Sequence, residues 1–403
     1  MSRASSGTAD DLTLFLVAGE HSGDALGGKL MAEINRRHRR RVRYLGVGGE
    51  AMAREGLISL FPLDELAVMG PAAILARLPR LVRRVYGTVA AVEAARPDAL
   101  VIIDSPEFTH AVARRVRRRS PHVPIIDYVS PSVWAWRPGR ARKMRRYIDH
   151  ILALLPFEPE AHRRLGGPPC TYVGHPLIER LPELAAIDTT PLARRLRLSP
   201  QRPLLVVLPG SRRSEVKYLL QPFGEAIAGL LARGLDFEIA VPVVPHVRAL
   251  VEAGIKTWPR QPLLLDGEQD KFAAFRLARA ALAASGTVTL ELALAGAPMV
   301  VGYKVDPVAA VPLRRMIKAP SVVLPSLILG DEQIFPEFHQ EACTGEALAA
   351  ALAPLFHDTP ERKRQLRAIA ELPRYLQLPH GTPSEAAADV VLRYAVAGRT
   401  LEP

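Results

Sequence analysis

Short apolar runs alternate with helix-length segments along this chain, and each run ends in small or turn-forming residues. In the first half the runs span 12–18, 99–103, 123–129 and 151–155. They end at Gly19, Asp104, Ser130-Pro131-Ser132 and Pro156, with helical segments over 27–40, 72–95 and 108–119. The second half repeats the scheme with runs at 204–208, 237–241, 262–265, 280–284 and 299–303 and helices over 215–233, 271–279 and 287–295, the last closed by Gly296. Continuously apolar strands separated by helices are buried on both faces, which predicts parallel, doubly wound α/β sheets. A chain of 403 residues exceeds one ordinary core, so the expected architecture is two Rossmann-like domains facing a cleft. The polar, proline-containing stretch 179–202 marks the expected boundary. It gives an N-terminal domain over 12–180, a C-terminal domain over 201–360 and a helical tail over 361–403 that can pack back on either domain.

Ligands of such sheets sit at the carboxyl ends of the strands, so the residues there are the candidates for chemistry. Pro209-Gly210-Ser211-Arg212 follows the run 204–208, and Ser285-Gly286-Thr287 follows the run 280–284. Each reads as strand, tight turn, helix. Each is expected to offer backbone N–H groups at a helix N-terminus, where the dipole attracts anions. Arg212 adds a forked cation. Two such loops on one sheet suit a diphosphate, as in a nucleotide-sugar; two ordinary strand–helix turns are the plainer alternative. Glu291, one helical turn after Thr287, is placed to accept hydrogen bonds from a ribose diol or, alternatively, to be a buried helix carboxylate.

Asp104 ends the apolar strand 99–103 and precedes Ser105-Pro106. A carboxylate at a strand end suits a general base toward a hydroxyl nucleophile; Asp before Ser-Pro also suits a helix cap. The segment Gly19-Glu20-His21-Ser22-Gly23-Asp24 is neither a Walker A loop nor GxGxxG. Its small residues admit a ligand close to the backbone. Glu20 and Asp24 would repel phosphate, so Glu20, Ser22 and Gly23 suit a hydroxyl-rich sugar. Trp134 and Trp136 beside Arg137 can stack on a ring, lie at a membrane surface or pack in the core. Over 66–86, Met69, Ile74, Leu75 and Leu78 share an amphipathic segment with Arg83 and Arg84. Such a segment can lie in a membrane interface or be a core face.

The formal net charge is +12, with arginine runs at 36–43, 114–119 and 137–146. These runs suit nucleic acid, an anionic membrane or a phosphorylated substrate, or are simply solvated. At 6% aromatic residues and with no known module, nucleic-acid binding is not expected. No run of about 18 apolar residues suggests a transmembrane helix, and the first eleven residues lack the apolar core of a secretory signal. Cys170 and Cys343 lack metal-ligand spacing and point to a reducing compartment. No DxD-like metal motif stands beside the diphosphate loops, so no metal and no cofactor are expected.

Together these strings resemble the lipid-A-disaccharide synthases, inverting GT-B glycosyltransferases. The resemblance rests on VAGEHSGD (17–24), YLGVGG (44–49), LAVMG (66–70), IDSPEF (103–108), YVSPSVWAWR (128–137), LPFEPE (155–160), YVGHPL (172–177), LPGSRRSEV (208–216), ASGTVTLELAL (284–294) and PMVVGYK (298–304). It implies transfer from UDP-2,3-diacylglucosamine to 2,3-diacylglucosamine 1-phosphate, giving the β-1,6 disaccharide 1-phosphate and UDP. It implies Asp104 as base for the acceptor 6-hydroxyl, Arg212 as phosphate ligand and Glu291 as ribose ligand. A cytoplasmic enzyme peripheral to the inner membrane follows, with a homodimer left open. Two residues depart from the family pattern: Ser326 stands where LPNL has asparagine, and His21 replaces a smaller residue. Other readings are another UDP-GlcNAc enzyme, of the lipid II glycosyltransferase or 2-epimerase type, or a basic membrane scaffold without catalysis.

Overall fold

The structure is a computed structural model that describes residues 11–38, 41–66, 71–306 and 321–398, with the backbone alone over 71–77. The chain divides into two compact units. One comprises residues up to 176 together with those from 378 onward, and the other comprises residues 177–377. The sequence boundary at 179–202 therefore lies a few residues too late.

The first unit carries seven parallel strands: β1 (Leu12–Ala18), β2 (Val42–Val47), β3 (Ile58–Ser59), β4 (Ala99–Ile103), β5 (Ile125–Tyr128), β6 (His150–Ala153) and β7 (Cys170–Tyr172). Their order is β3-β2-β1-β4-β5-β6-β7. Residues of β1 alternate between two cores. Leu14 and Leu16 face the helices His21–Arg37 and Pro383–Ala397, while Phe15 and Val17 face Pro71–Ala95 and Pro106–Arg119. Burial on both faces is why the strand reads as an unbroken apolar run.

The second unit carries six parallel strands: β8 (Leu204–Leu208), β9 (Glu238–Pro242), β10 (Leu263–Leu265), β11 (Ala278–Ala284), β12 (Met299–Tyr303) and β13 (Glu337–His339). Their order is β10-β9-β8-β11-β12-β13. Helix Arg213–Ala232 packs Phe223, Ile227 and Leu230 on this sheet.

The tail is split between the two units. Helix Pro360–Leu376 stays with the second, where Gln365 accepts from the Met299 N–H at 2.7 Å and donates to its carbonyl at 3.0 Å. Helix Pro383–Ala397 belongs to the first. Ala387, Ala388 and Ala395 let it approach His21–Arg37 closely, and Glu385 and Asp389 pair with Arg36 and Arg37. The arginine run at 36–43 is thus partly spent on holding the tail.

Each sheet reverses its direction of growth once, between β1 and β4 and between β8 and β11. The carboxyl ends of the strands at such a reversal open a crevice that open α/β sheets use for ligands.

Candidate active site

In the first unit, Ala18 pairs with Ile103 across β1 and β4, so Gly19 meets the turn Asp104-Ser105. A Cβ on Gly19 would sit 2.1 Å from the Ser105 Cβ, which explains the glycine. Asp104 and Ser105 both adopt left-handed backbone, at φ of 56° and 44°. Such strain in consecutive non-glycine residues costs about 1–3 kcal/mol each and collects at functional sites. Asp104 Oδ1 accepts the Ser105 N–H at 2.7 Å, and Oδ2 accepts the Ser22 hydroxyl at 3.1 Å. Ser105, not Asp104, is the N-cap of Pro106–Arg119, and it makes no side-chain cap. The half-exposed Asp104 carboxylate is therefore available to a ligand.

Around it, Ser22 and Glu20 are exposed, and Gly23 is buried with its Cα side against the Ile103 carbonyl. Asp24 is buried and accepts from the N–H groups of Gly49, Ala51 and Met52, so it holds a helix start and does not face a ligand. His21 turns to Asp64 at 3.1 Å.

In the second unit, a cavity of about 610 Å³ lies at the carboxyl ends of β8 to β11. This is the size range of small-molecule sites. Gly210, Ser211, Arg212, Ser285, Gly286, Thr287 and Glu291 all line it. The two glycine loops read from the sequence therefore share one site.

Their chemistry differs from the expectation. The N–H groups of Ser211 and Arg212 donate to Glu215 Oε2 at 3.1 and 3.2 Å, while Arg212 Nη1 donates to Oε1 at 2.8 Å. Buried Glu215 thus uses the backbone donors that a phosphate was expected to take. Gly210 makes room for it: at φ 112°, an added Cβ would lie 2.6 Å from Glu215. Anion binding on this side rests on the Arg212 guanidinium, which is 70% exposed.

On the other loop, the Ser285 hydroxyl donates to the Val322 carbonyl at 2.9 Å and is not offered to a ligand. In Val288–Leu294 the Thr289 and Leu290 N–H groups are already taken, by the Gly286 and Thr287 carbonyls at 3.1 and 3.0 Å, so a backbone donor for an anion at this loop lies ahead of Thr289. Glu291 Oε2 accepts from Lys271 Nζ at 2.7 Å, which fixes the carboxylate at the cavity wall. Ser326, expected at the substrate, is fully buried in Leu324–Leu329, and its hydroxyl has no partner among the described residues.

The sequence reading missed Lys271, the Arg180–Glu268 pair at 2.6 Å and the apolar wall of Val243, Val244 and Pro245. The one available signal for Lys271 was its place near the start of a helix that follows a strand. Among the described residues, no cluster of three His, Cys, Asp or Glu side chains could hold a metal.

Of the membrane-facing candidates, Met69 lies outside the described residues, as do the side chains of Ile74 and Leu75. Leu78 and Arg83 are exposed. Arg84 is half-buried: it pairs with Glu65 at 2.8 and 2.9 Å and covers the Phe61 ring. Among the described residues, no helix is long and apolar enough to cross a membrane.

The sequence pattern of a family described as lipid-A-disaccharide synthetase matches residues 14–388. A lipid-A-disaccharide synthase of Nitrobacter hamburgensis is 54% identical over 386 residues, covering 96% of each chain. One from Rhodospirillum centenum is 45% identical, covering 94% of each. Among solved structures, a UDP-GlcNAc 2-epimerase from Neisseria meningitidis bound to UDP-GlcNAc aligns with a TM-score of 0.62 at 12% identity, covering 96% of this chain and all of that one. An S. aureus MnaA–UDP co-structure aligns at 0.64 and 12% identity, covering 97% and 99%. At that identity these likenesses speak for the two-Rossmann fold alone.

Proposed function

We infer how the work is divided in this protein from one premise: the chain belongs to the lipid-A-disaccharide synthase family and is a glycosyltransferase that forms the lipid A disaccharide. The donor is UDP-2,3-diacylglucosamine, with its UDP in the cavity of the second unit. The acceptor is 2,3-diacylglucosamine 1-phosphate, and its 6-hydroxyl meets Asp104. Asp104 takes the hydroxyl proton as the oxygen attacks the anomeric carbon. The bond from that carbon to the diphosphate breaks, and UDP leaves with the electron pair. Arg212 and the start of Val288–Leu294 stabilise the charge that develops on the leaving group. Glu20, Ser22 and Gly23 border the sugar.

The observation that supports this division most is the left-handed Asp104-Ser105 turn, strained and packed on Gly19, which presents one carboxylate at the reversal point of its sheet. On the nucleotide side, Glu291 carries the ribose contact. Wild-type protein is expected to bind UDP more tightly than 2′-deoxy-UDP by about tenfold, the worth of a hydrogen bond to a charged group. Glu291→Ala is expected to lose that preference. Calorimetry with both nucleotides checks it, and an undiminished preference in the variant would remove Glu291 from the ribose.

Both substrates carry acyl chains, so the enzyme works at the cytoplasmic face of the inner membrane as a peripheral protein. Helix Pro71–Ala95 supports this placement. Leu78, Val82 and Tyr86 recur every four residues and are 47%, 44% and 46% exposed, with Arg80 and Arg83 beside them. Basic residues near an anionic leaflet contribute about 1 kcal/mol each. Reversing Arg80 and Arg83 to glutamate is expected to lower binding to phosphatidylglycerol vesicles by at least about tenfold at low salt. Unchanged sedimentation with vesicles would place the membrane contact elsewhere.

A further inference from the structure

Two family strings, YVSPSVWAWR and LPFEPE, lie apart in sequence and have no part in the chemistry above. In the first unit they form one built structure. The loop over 129–137 leaves β5 beside Asp104, whose N–H donates to the Tyr128 carbonyl at 3.1 Å. Left-handed residues bound it at both ends, Val129 at φ 83° and Arg137 at φ 52°. Such a loop does not hold its shape by local preference, so something must fix it.

Helix Glu158–Leu165 supplies the fixing groups. Glu158, only 3% exposed, accepts the indole N–H of Trp134 at 3.2 Å on Oε1 and the Leu155 N–H at 3.0 Å on Oε2. His162, fully buried one turn on, is hydrogen-bonded to the Ser130 hydroxyl at 2.7 Å. The Trp134 ring packs edge-on against Phe157 at 5.1 Å. No arginine or lysine pairs with Glu158 among the described residues. A buried carboxylate without a cation is costly, and a stabilising core would not select it.

We propose that Glu158 is a positioning residue for the acceptor: through Trp134 it fixes the loop over 129–137 as the wall beside Asp104. The proposal rests on the reading that Asp104 faces the acceptor. A carboxylate accepts two N–H donors at once; its protonated form gives up part of one of those bonds. Burial pushes the Glu158 carboxyl up to about 7, and the nearby Asp127 charge pushes in the same direction. The other groups facing this cluster are the Cys170 thiol of β7, raised by burial, and His162, lowered by burial. Asp127 itself stands 3.1 Å from His110 Nε2. The loop is therefore held firmly above neutral pH and loosened below it.

The test uses the full chain. In the substrate-free protein, tryptophan emission is expected to titrate with a midpoint near 7, and the transition is expected to vanish in Glu158→Gln and in Trp134→Phe. A transition that persists in both variants, or none in wild type, overturns the holding role whatever the kinetics show. In turnover, Glu158→Gln is expected to raise the KM for the acceptor about tenfold and leave the KM for the donor within about twofold. Trp134→Phe keeps an aromatic ring beside Phe157, loses the indole N–H together with some ring volume, and is expected to do the same should Glu158→Gln fold poorly. Donor and acceptor KM rising together would mean a general packing defect and overturn the proposal.

Discussion

Asp104→Asn is expected to lower turnover by about 10²–10⁴-fold, the range that a positioned general base supplies, while UDP binds at wild-type strength. The variant should fold. Asparagine tolerates the left-handed backbone at this position, and its side-chain oxygen can still accept the Ser105 N–H that Asp104 Oδ1 accepts now. What it loses is the capacity to take a proton. The fold check is the thermal midpoint, and the functional check is single-turnover product formation at saturating substrates. Turnover within a few-fold of wild type would show that another group deprotonates the acceptor. Ser22→Ala separates the carboxylate from its neighbour: it removes the hydroxyl that donates to Oδ2 at 3.1 Å and leaves the base in place.

Arg212→Ala carries the largest effect on the nucleotide side. A hydrogen bond to a charged group is worth about 1.5–3 kcal/mol, so UDP affinity is expected to fall by about 10–150-fold. The reason is sharper than the loop sequence alone suggests. Because Glu215 occupies the N–H groups of Ser211 and Arg212, the diphosphate has little else to hold on this side of the cavity. Removing the guanidinium also leaves the buried Glu215 carboxylate without its cation and repelling the phosphates. Arg212→Lys keeps the charge and loses the fork, so its affinity should fall between the two. Glu215→Gln gives a second view: with less negative charge beside the phosphates, UDP affinity should not fall as it does in Arg212→Ala. Calorimetry with UDP resolves all three. An Arg212→Ala protein that binds UDP normally would leave the cavity's anion binding to the Thr287 side.

The sheets were legible because their central strands are buried on both faces. The runs at 204–208 and 99–103 coincide with β8 and β4, and nothing polar interrupts them. Of the edge strands, β10 matches the run at 262–265, but β3, β7 and β13, with two or three residues each, were not read, nor was the interior strand β2, which includes Arg43 and Gly46. A short strand exposed along one edge carries no period long enough to stand out. The glycine loops were legible for the same reason as the central strands: they end them. Their occupancy was misread because backbone N–H groups were counted as free. Glu215 stands three residues after Arg212, the spacing of a capping box, so the competing acceptor was written in the sequence. Ser326 was placed by family pattern and turned out buried. The Glu158–Trp134 contact joins residues 24 apart through the packing of a helix under a loop, and no local pattern announces it.

This chain is expected to form a glycosidic bond with Asp104 as the base. The direct measurement incubates the purified protein with UDP-2,3-diacylglucosamine and 2,3-diacylglucosamine 1-phosphate, in parallel with Asp104→Asn, and follows both products by mass spectrometry. The expected result is disaccharide 1-phosphate and UDP in equal amounts from wild type, and neither at a comparable rate from the variant. UDP released without disaccharide, or equal disaccharide from the two proteins, would contradict it.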